Sequence, residues 1–123
     1  MCLLTIKECY EKIGADYAEA ITRMMKDERI AKFAGMFLRD TSFTELKAAM
    51  ETENYDEAFR MAHTLKGVCQ NLSFTALYGP VQEITEALRE KGRDIDLAKS
   101  LLPGVEAEYE RTVAGIHEFL QNQ

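Results

Sequence analysis

Residues 60–73, RMAHTLKGVCQNLS, decide how the rest of the chain is read. On a helical wheel at about 100° per residue, Met61, Leu65, Val68 and Leu72 fall on one side and His63 falls opposite them. The companions of His63 on its own side are Phe59, Arg60, Lys66, Gly67 and Gln70. A helix with one apolar stripe has to bury that stripe against other elements. The same reading sends His63 outward, into solvent.

Gly67 needs a reason, because glycine within a helix costs roughly 0.5–1 kcal/mol relative to alanine. It lies away from the stripe, so close approach of something external explains it better than helix packing does. Lys66, at i+3 from His63, is a helical neighbour that can neutralise an anion held at the imidazole. Gln70, two turns on, adds a neutral donor. Phe59 reads two ways, as apolar docking area or as a side chain turned into the fold. Against all this stands the plain alternative that a lone helical histidine is a solvated surface residue.

AHTLKG followed by CQNL, residues 62–67 and 69–72, resembles the signature of histidine-containing phosphotransfer (HPt) domains. Their pattern is a histidine, a lysine three residues on and a glycine four on, here His63, Lys66 and Gly67, with Ala62, Leu65 and Leu72 flanking. More loosely, the resemblance runs from about Asp27 to Gly92 through FLRDTSFTELKAAMETENYDEAFRMAH. Ser73 departs from it, standing where the family commonly carries glycine; serine can still end one helix or cap the next. The resemblance implies an antiparallel four-helix bundle and phosphorylation of His63. Lys66 and Gln70 would serve the phosphoryl group, and Gly67, Phe59 and Arg60 would face the docking partner.

Outward from this stretch, 123 residues with 46% apolar content suit a single domain with one core. A net charge of −6 argues against nucleic acid or an anionic membrane as the main partner. No apolar run approaches the roughly 20 residues of a membrane span, and MCLLTIKECYEK lacks the basic start and long apolar centre of a signal peptide. A cytoplasmic chain is expected. Cys2, Cys9 and Cys69 are odd in number and without CxxC spacing, so reduced thiols are expected, with neither a disulfide framework nor a zinc site. Cys69 reads as a small filler on the flank of the stripe.

The remaining periodicity is helical, with no convincing strand pattern. Ile6, Tyr10 and Ile13 form a short helix ending at Gly14. Tyr17, Ala20, Ile21 and Met24 form a second, capped by Asp16. Ile30, Phe33, Ala34, Phe37 and Leu38 mark a longer stripe opened by Asp27 or Glu28. Ser42 with Glu45, and Asn54 with Glu57, have capping-box spacing. Gly79 and Pro80 mark either a helix start near 79 or a bend in one begun near Thr75, and Gly92 closes that helix. Asp94 opens a short helix through Leu101, and Pro103 introduces a last one striped by Val105, Tyr109, Val113, Ile116 and Leu120. The expected fold is therefore all-α, an antiparallel up-down four-helix bundle with additional short N-terminal helices. The N-terminal helices would occupy 1–26 and the bundle 27–122, with long helices at 28–39 continued by 43–51, 55–73, 79–91 and 103–121.

A neutral imidazole, with an ordinary pKa of about 6.5, is nucleophilic near pH 7 without an activating base. By resemblance, the chain would be a stand-alone phosphorelay carrier. It would accept a phosphoryl group from a receiver aspartyl phosphate or a sensor histidine kinase and pass it to a response-regulator receiver domain. No cofactor of its own is expected, since the receiver would bring Mg²⁺, and a monomer suffices. With no nucleotide-binding motif the chain is not expected to be a kinase, and no HExxH, ExxH or triad grouping suggests metal or hydrolytic chemistry. His117 lies on the flank of the final stripe without comparable company and reads as structural or exposed. The competing reading is a non-phosphorylated helical adaptor (a pseudo-HPt) that binds a receiver or kinase through the same face.

Overall fold

Each helix begins and ends where the local chemistry allows it, and the computed structural model describes residues 3–123 in those terms. Helix α1, Ile6–Ile13, opens on a reciprocal capping box: the Glu8 amide donates to Thr5 Oγ1 at 3.0 Å and the Thr5 amide to Glu8 Oε1 at 2.9 Å. It stops at Gly14, whose φ of 71° needs a residue without Cβ. Helix α2, Tyr17–Met24, starts on Asp16, which accepts from the Glu19 amide at 3.0 Å. Helices α3 (Asp27–Phe37), α4 (Ser42–Glu51), α5 (Tyr55–Leu72), α6 (Thr75–Leu88) and α7 (Ile95–Gln121) follow. There is no strand among the described residues, and no helix there is long and apolar enough to cross a membrane.

Helix α4 packs on α5 and α7, α5 on α6, and α6 on α7. Helices α4 and α7, and α5 and α6, run in opposite directions. Phe43 stacks on Tyr109 with centroids 4.5 Å apart, and one turn on Lys47 pairs with Glu106 at 2.7 Å, which makes α4 and α7 antiparallel. Ser73 and Phe74 join α5 to α6, while Arg93, beyond the far end of α6, reaches Asp56 at the start of α5 at 2.9 Å. The core runs through these helices along Leu46, Leu65, Leu77, Ile84, Leu88, Val105 and Ile116, all fully buried. Helix α1 lies against α7, where a Cβ on Gly115 would stand 2.2 Å from Ile13 Cγ2.

Several expectations are corrected by the structure. The segments expected at 28–39 and 43–51 are the separate helices α3 and α4, but α3 stops sooner, at Phe37, and the chain turns over 38–41, where the Ser42 amide donates to Asp40 Oδ1 at 2.8 Å. Ser42 is not a cap: it is buried as the first helical residue, and Glu45 instead accepts from Thr41 Oγ1 at 2.9 Å. The box at Asn54 is half made, with Asn54 Oδ1 accepting from the Glu57 amide at 3.3 Å while Glu57 turns to Arg60. Of the two openings left for the next helix, the start at Thr75 is the one found, so Pro80 lies within α6.

Gly92 does not end α6, which closes at Leu88 with Arg89 as its cap. Gly92 lies in the connection, with a φ of 83°. Pro103 starts nothing either, because α7 continues through it from Ile95. The amide that proline lacks would have bonded Lys99, an exposed residue whose carbonyl can turn to water. Phe33 and Leu120, read into stripes, are exposed, and Phe119 and Thr112 are buried instead. Phe33 and Met36 border an apolar groove of about 540 Å³ against Phe37 and Leu72.

Candidate functional site

Helix α5 carries its buried centre on Ala58, Ala62, Leu65, Cys69 and Leu72, with Met61 and Val68 only half-buried. The core face is thus rotated by about half a residue step, roughly 50°, from the one expected. Small residues explain the shift. Ala58, Ala62 and Cys69 let the neighbouring helices come close, so bulky Met61 and Val68 are pushed to the edges. Cys69 is central and not on the flank, and burial pushes its thiol up to about 12.

His63, midway along α5, remains exposed after this rotation. Its ring lies 5.9 Å from that of Phe59, one turn earlier, with the planes tilted by 43°. Phe59 answers both of its readings, because it is half-buried against the core cluster and also forms one wall of the His63 surface. Lys66 is half-buried and makes no ion pair among the described residues. A Cβ added to Gly67 would meet nothing within 4 Å, so packing within the fold does not demand glycine there. Gln70 is exposed, and its backbone carbonyl accepts from Arg23 at 2.8 Å. Arg60 is exposed and paired with Glu57. His117 is exposed on α7.

Glu86 of α6 and Arg89, the cap that follows it, join this face, and the sequence did not single them out. Arg89 places its guanidinium over the Phe59 ring at 5.3 Å, a cation–π arrangement. It also holds Glu86 through two hydrogen bonds, at 2.7 and 3.3 Å. Those bonds, aided by the charges of Arg89, Lys66 and His63, keep the Glu86 carboxyl below its ordinary range. Phe59, Arg60, His63, Arg89 and Arg93 line an open groove of about 550 Å³. The local signal for Glu86 and Arg89 is only that they lie off the Val81, Ile84 and Leu88 stripe. Their nearness to His63 comes from the α5–α6 pairing.

The geometry offers an accessible imidazole, an adjacent unpaired ammonium, an open glycine and a guanidinium on an aromatic wall. That arrangement can accept a compact anion on the ring nitrogen and leaves room for a second protein's surface. Among known proteins, the family model described as Hpt domain matches residues 35–115 of the 123. The matched span holds α4, α5 and α6 entire, with the end of α3 and most of α7. Comparison with curated proteins and with solved structures returns no match.

Proposed function

The chain belongs to the Hpt domain family, whose members are phosphocarrier modules of phosphorelay signalling, and from that premise we propose that it carries a phosphoryl group on His63. The single observation that bears most weight is an exposed imidazole flanked by Lys66 and by Gly67, whose missing side chain leaves open space. We read α4 to α7 as the up-down four-helix bundle of the family, with α5 presenting the histidine on its wall.

In this reading the donor is an aspartyl phosphate of a receiver domain, or a sensor histidine kinase, and the acceptor is a response-regulator receiver. The ring nitrogen of His63 attacks phosphorus in line; with an aspartyl phosphate the P–O bond breaks and the carboxylate leaves with the electron pair, and with a kinase phosphohistidine the P–N bond breaks and the imidazole leaves with it. The proton on the other ring nitrogen takes no part. Catalysis of such a transfer is positioning and charge neutralisation. Lys66 supplies a charge-assisted hydrogen bond to the phosphoryl oxygens, and Gln70 a neutral donor. Gly67, Phe59 and Arg60 meet the partner's rim, and the partner brings Mg²⁺. The protein acts as a monomeric carrier in the cytoplasm, without kinase activity of its own.

The adaptor alternative would gain support if Ser73, which stands where the family commonly carries glycine, bore on the histidine. Ser73 ends α5 ten residues beyond His63, about 15 Å along the helix, so its replacement of glycine bears on the turn and not on the histidine. Incubation with a receiver phosphorylated at its aspartate tests the proposal. The wild type should gain acid-labile, alkali-stable label and His63→Gln should gain none. Binding without label in the wild type would establish the adaptor instead.

A further inference from the structure

The rim of the His63 groove is made of ion pairs that the chain forms with itself. Arg60 holds Glu57, Arg93 holds Asp56 at 2.9 Å, and Arg89 holds Glu86 at 2.7 and 3.3 Å. Glu90 adds a further carboxylate to the lining. Of the three guanidiniums, Arg89 is placed differently: it and the His63 ring both pack on Phe59, at 5.3 and 5.9 Å. Phe59 is therefore a platform shared by the nucleophile and one cation. The Glu86 and Arg89 side chains are each about half exposed, 52% and 46%, and a pair so open to water is held weakly. A phosphoryl group brings nearly two charges and three acceptor oxygens, a stronger partner for a guanidinium than one hydrated carboxylate.

We infer that Arg89 exchanges partners during the relay, leaving Glu86 for the phosphoryl oxygens when His63 is phosphorylated and returning to Glu86 when the group departs. This rests on the carrier reading of His63. Arg89 makes and breaks no covalent bond; the N–P bond forms as the donor's O–P bond breaks, and the guanidinium adds only charge to the phosphorylated state. Glu86 is the opposing element. It competes for Arg89, and it stays within electrostatic reach of Lys66 and His63. The pair thus limits how tightly the phosphoryl group is held, which a carrier requires, because a group held too well is not passed on.

The test uses the full chain equilibrated with a receiver domain that labels the wild type, in the presence of Mg²⁺. The ratio of phospho-His63 to phospho-receiver is read for Glu86→Gln, Arg89→Gln, Arg89→Lys and the Glu86→Gln/Arg89→Gln double variant, and circular dichroism confirms that each is folded. Glu86→Gln should raise the ratio by about two- to fivefold and Arg89→Gln should lower it by a similar factor, the size expected of an exposed ionic contact. Arg89→Lys should recover part of the loss. In the Arg89→Gln background, Glu86→Gln should do little, since the two act through one contact. An unchanged ratio in Arg89→Gln, or a Glu86→Gln effect of equal size with and without Arg89, overturns the exchange while leaving the carrier reading intact. A wild type that takes no label from any receiver overturns the carrier reading itself, and the exchange with it.

Discussion

Gly67 and Gly115 both sit inside helices, and only their surroundings separate them. Around Gly67 an added Cβ meets open space; at Gly115 it would lie 2.2 Å from Ile13 Cγ2. Gly67→Ala should therefore leave stability unchanged or raise it by up to about 1 kcal/mol through helix propensity. Gly115→Ala should cost about 1–3 kcal/mol, because α1 must move off α7. Urea unfolding of the two variants makes the comparison, and a destabilised Gly67→Ala would mean that glycine serves the fold. Gly67→Glu should keep the wild-type thermal midpoint and yet block phosphoryl transfer, since in the proposed relay a side chain there would stand where the partner docks. At this scale His63, Lys66, Gly67 and Gln70 could be read from spacing along one helix. Glu86 and Arg89 could not, because they lie 23 and 26 positions downstream of His63 on another helix.

Helix ends obey more local rules, and most of them were visible in the sequence. Asp16, Asn54 and Asp94 each accept an amide from the third residue on, as N-caps should. Pro80 and Pro103 misled because a proline's missing hydrogen bond can be outweighed when the flanking turns are packed along a bundle. The end of α5 is the informative case. Ser73 adopts a left-handed φ of 59°, yet it is buried, and its Oγ donates to Glu19 Oε1 at 2.7 Å while accepting from Arg23 at 3.3 Å. Serine thus exchanges glycine's conformational ease for a tie to α2. Ser73→Ala, which keeps the strain and loses the tie, should destabilise by about 1–2 kcal/mol. Ser73→Gly loses the tie but relieves a left-handed cost of about 1 kcal/mol, so its denaturation midpoint should stay near wild type. A Ser73→Gly variant as weak as Ser73→Ala would show that the tie to α2 outweighs the backbone strain.

Taken whole, the molecule keeps Cys9 and Cys69 in its core, both free and fully buried. Burial pushes the two thiols up from 9.0, to about 11 and about 12. A thiol whose folded value is raised contributes its full stability below the unfolded value, and that contribution is lost as pH rises from about 9 toward 11 and 12. The urea midpoint should accordingly change little through neutral pH and fall above pH 9. Iodoacetamide at pH 8 should leave both residues unmodified in the native protein and alkylate both after denaturation, read peptide by peptide in a mass spectrometer. Rapid native alkylation of Cys69 would mean that α5 opens from the bundle far more readily than its packing implies.

Taken alone, the order of residues determined the helical class, the caps that begin α2, α5 and α7, and the outward placement of His63 beside Lys66 and Gly67. These depend on interactions within a few positions of each other, where periodicity and side-chain chemistry suffice. Tertiary packing decided the rotation of α5 about Ala62 and Cys69, the continuity of α7 through Pro103, and the arrival of Glu86 and Arg89 beside the histidine. Each of these depends on what a neighbouring helix presents across the interface, and no window along one helix contains that information.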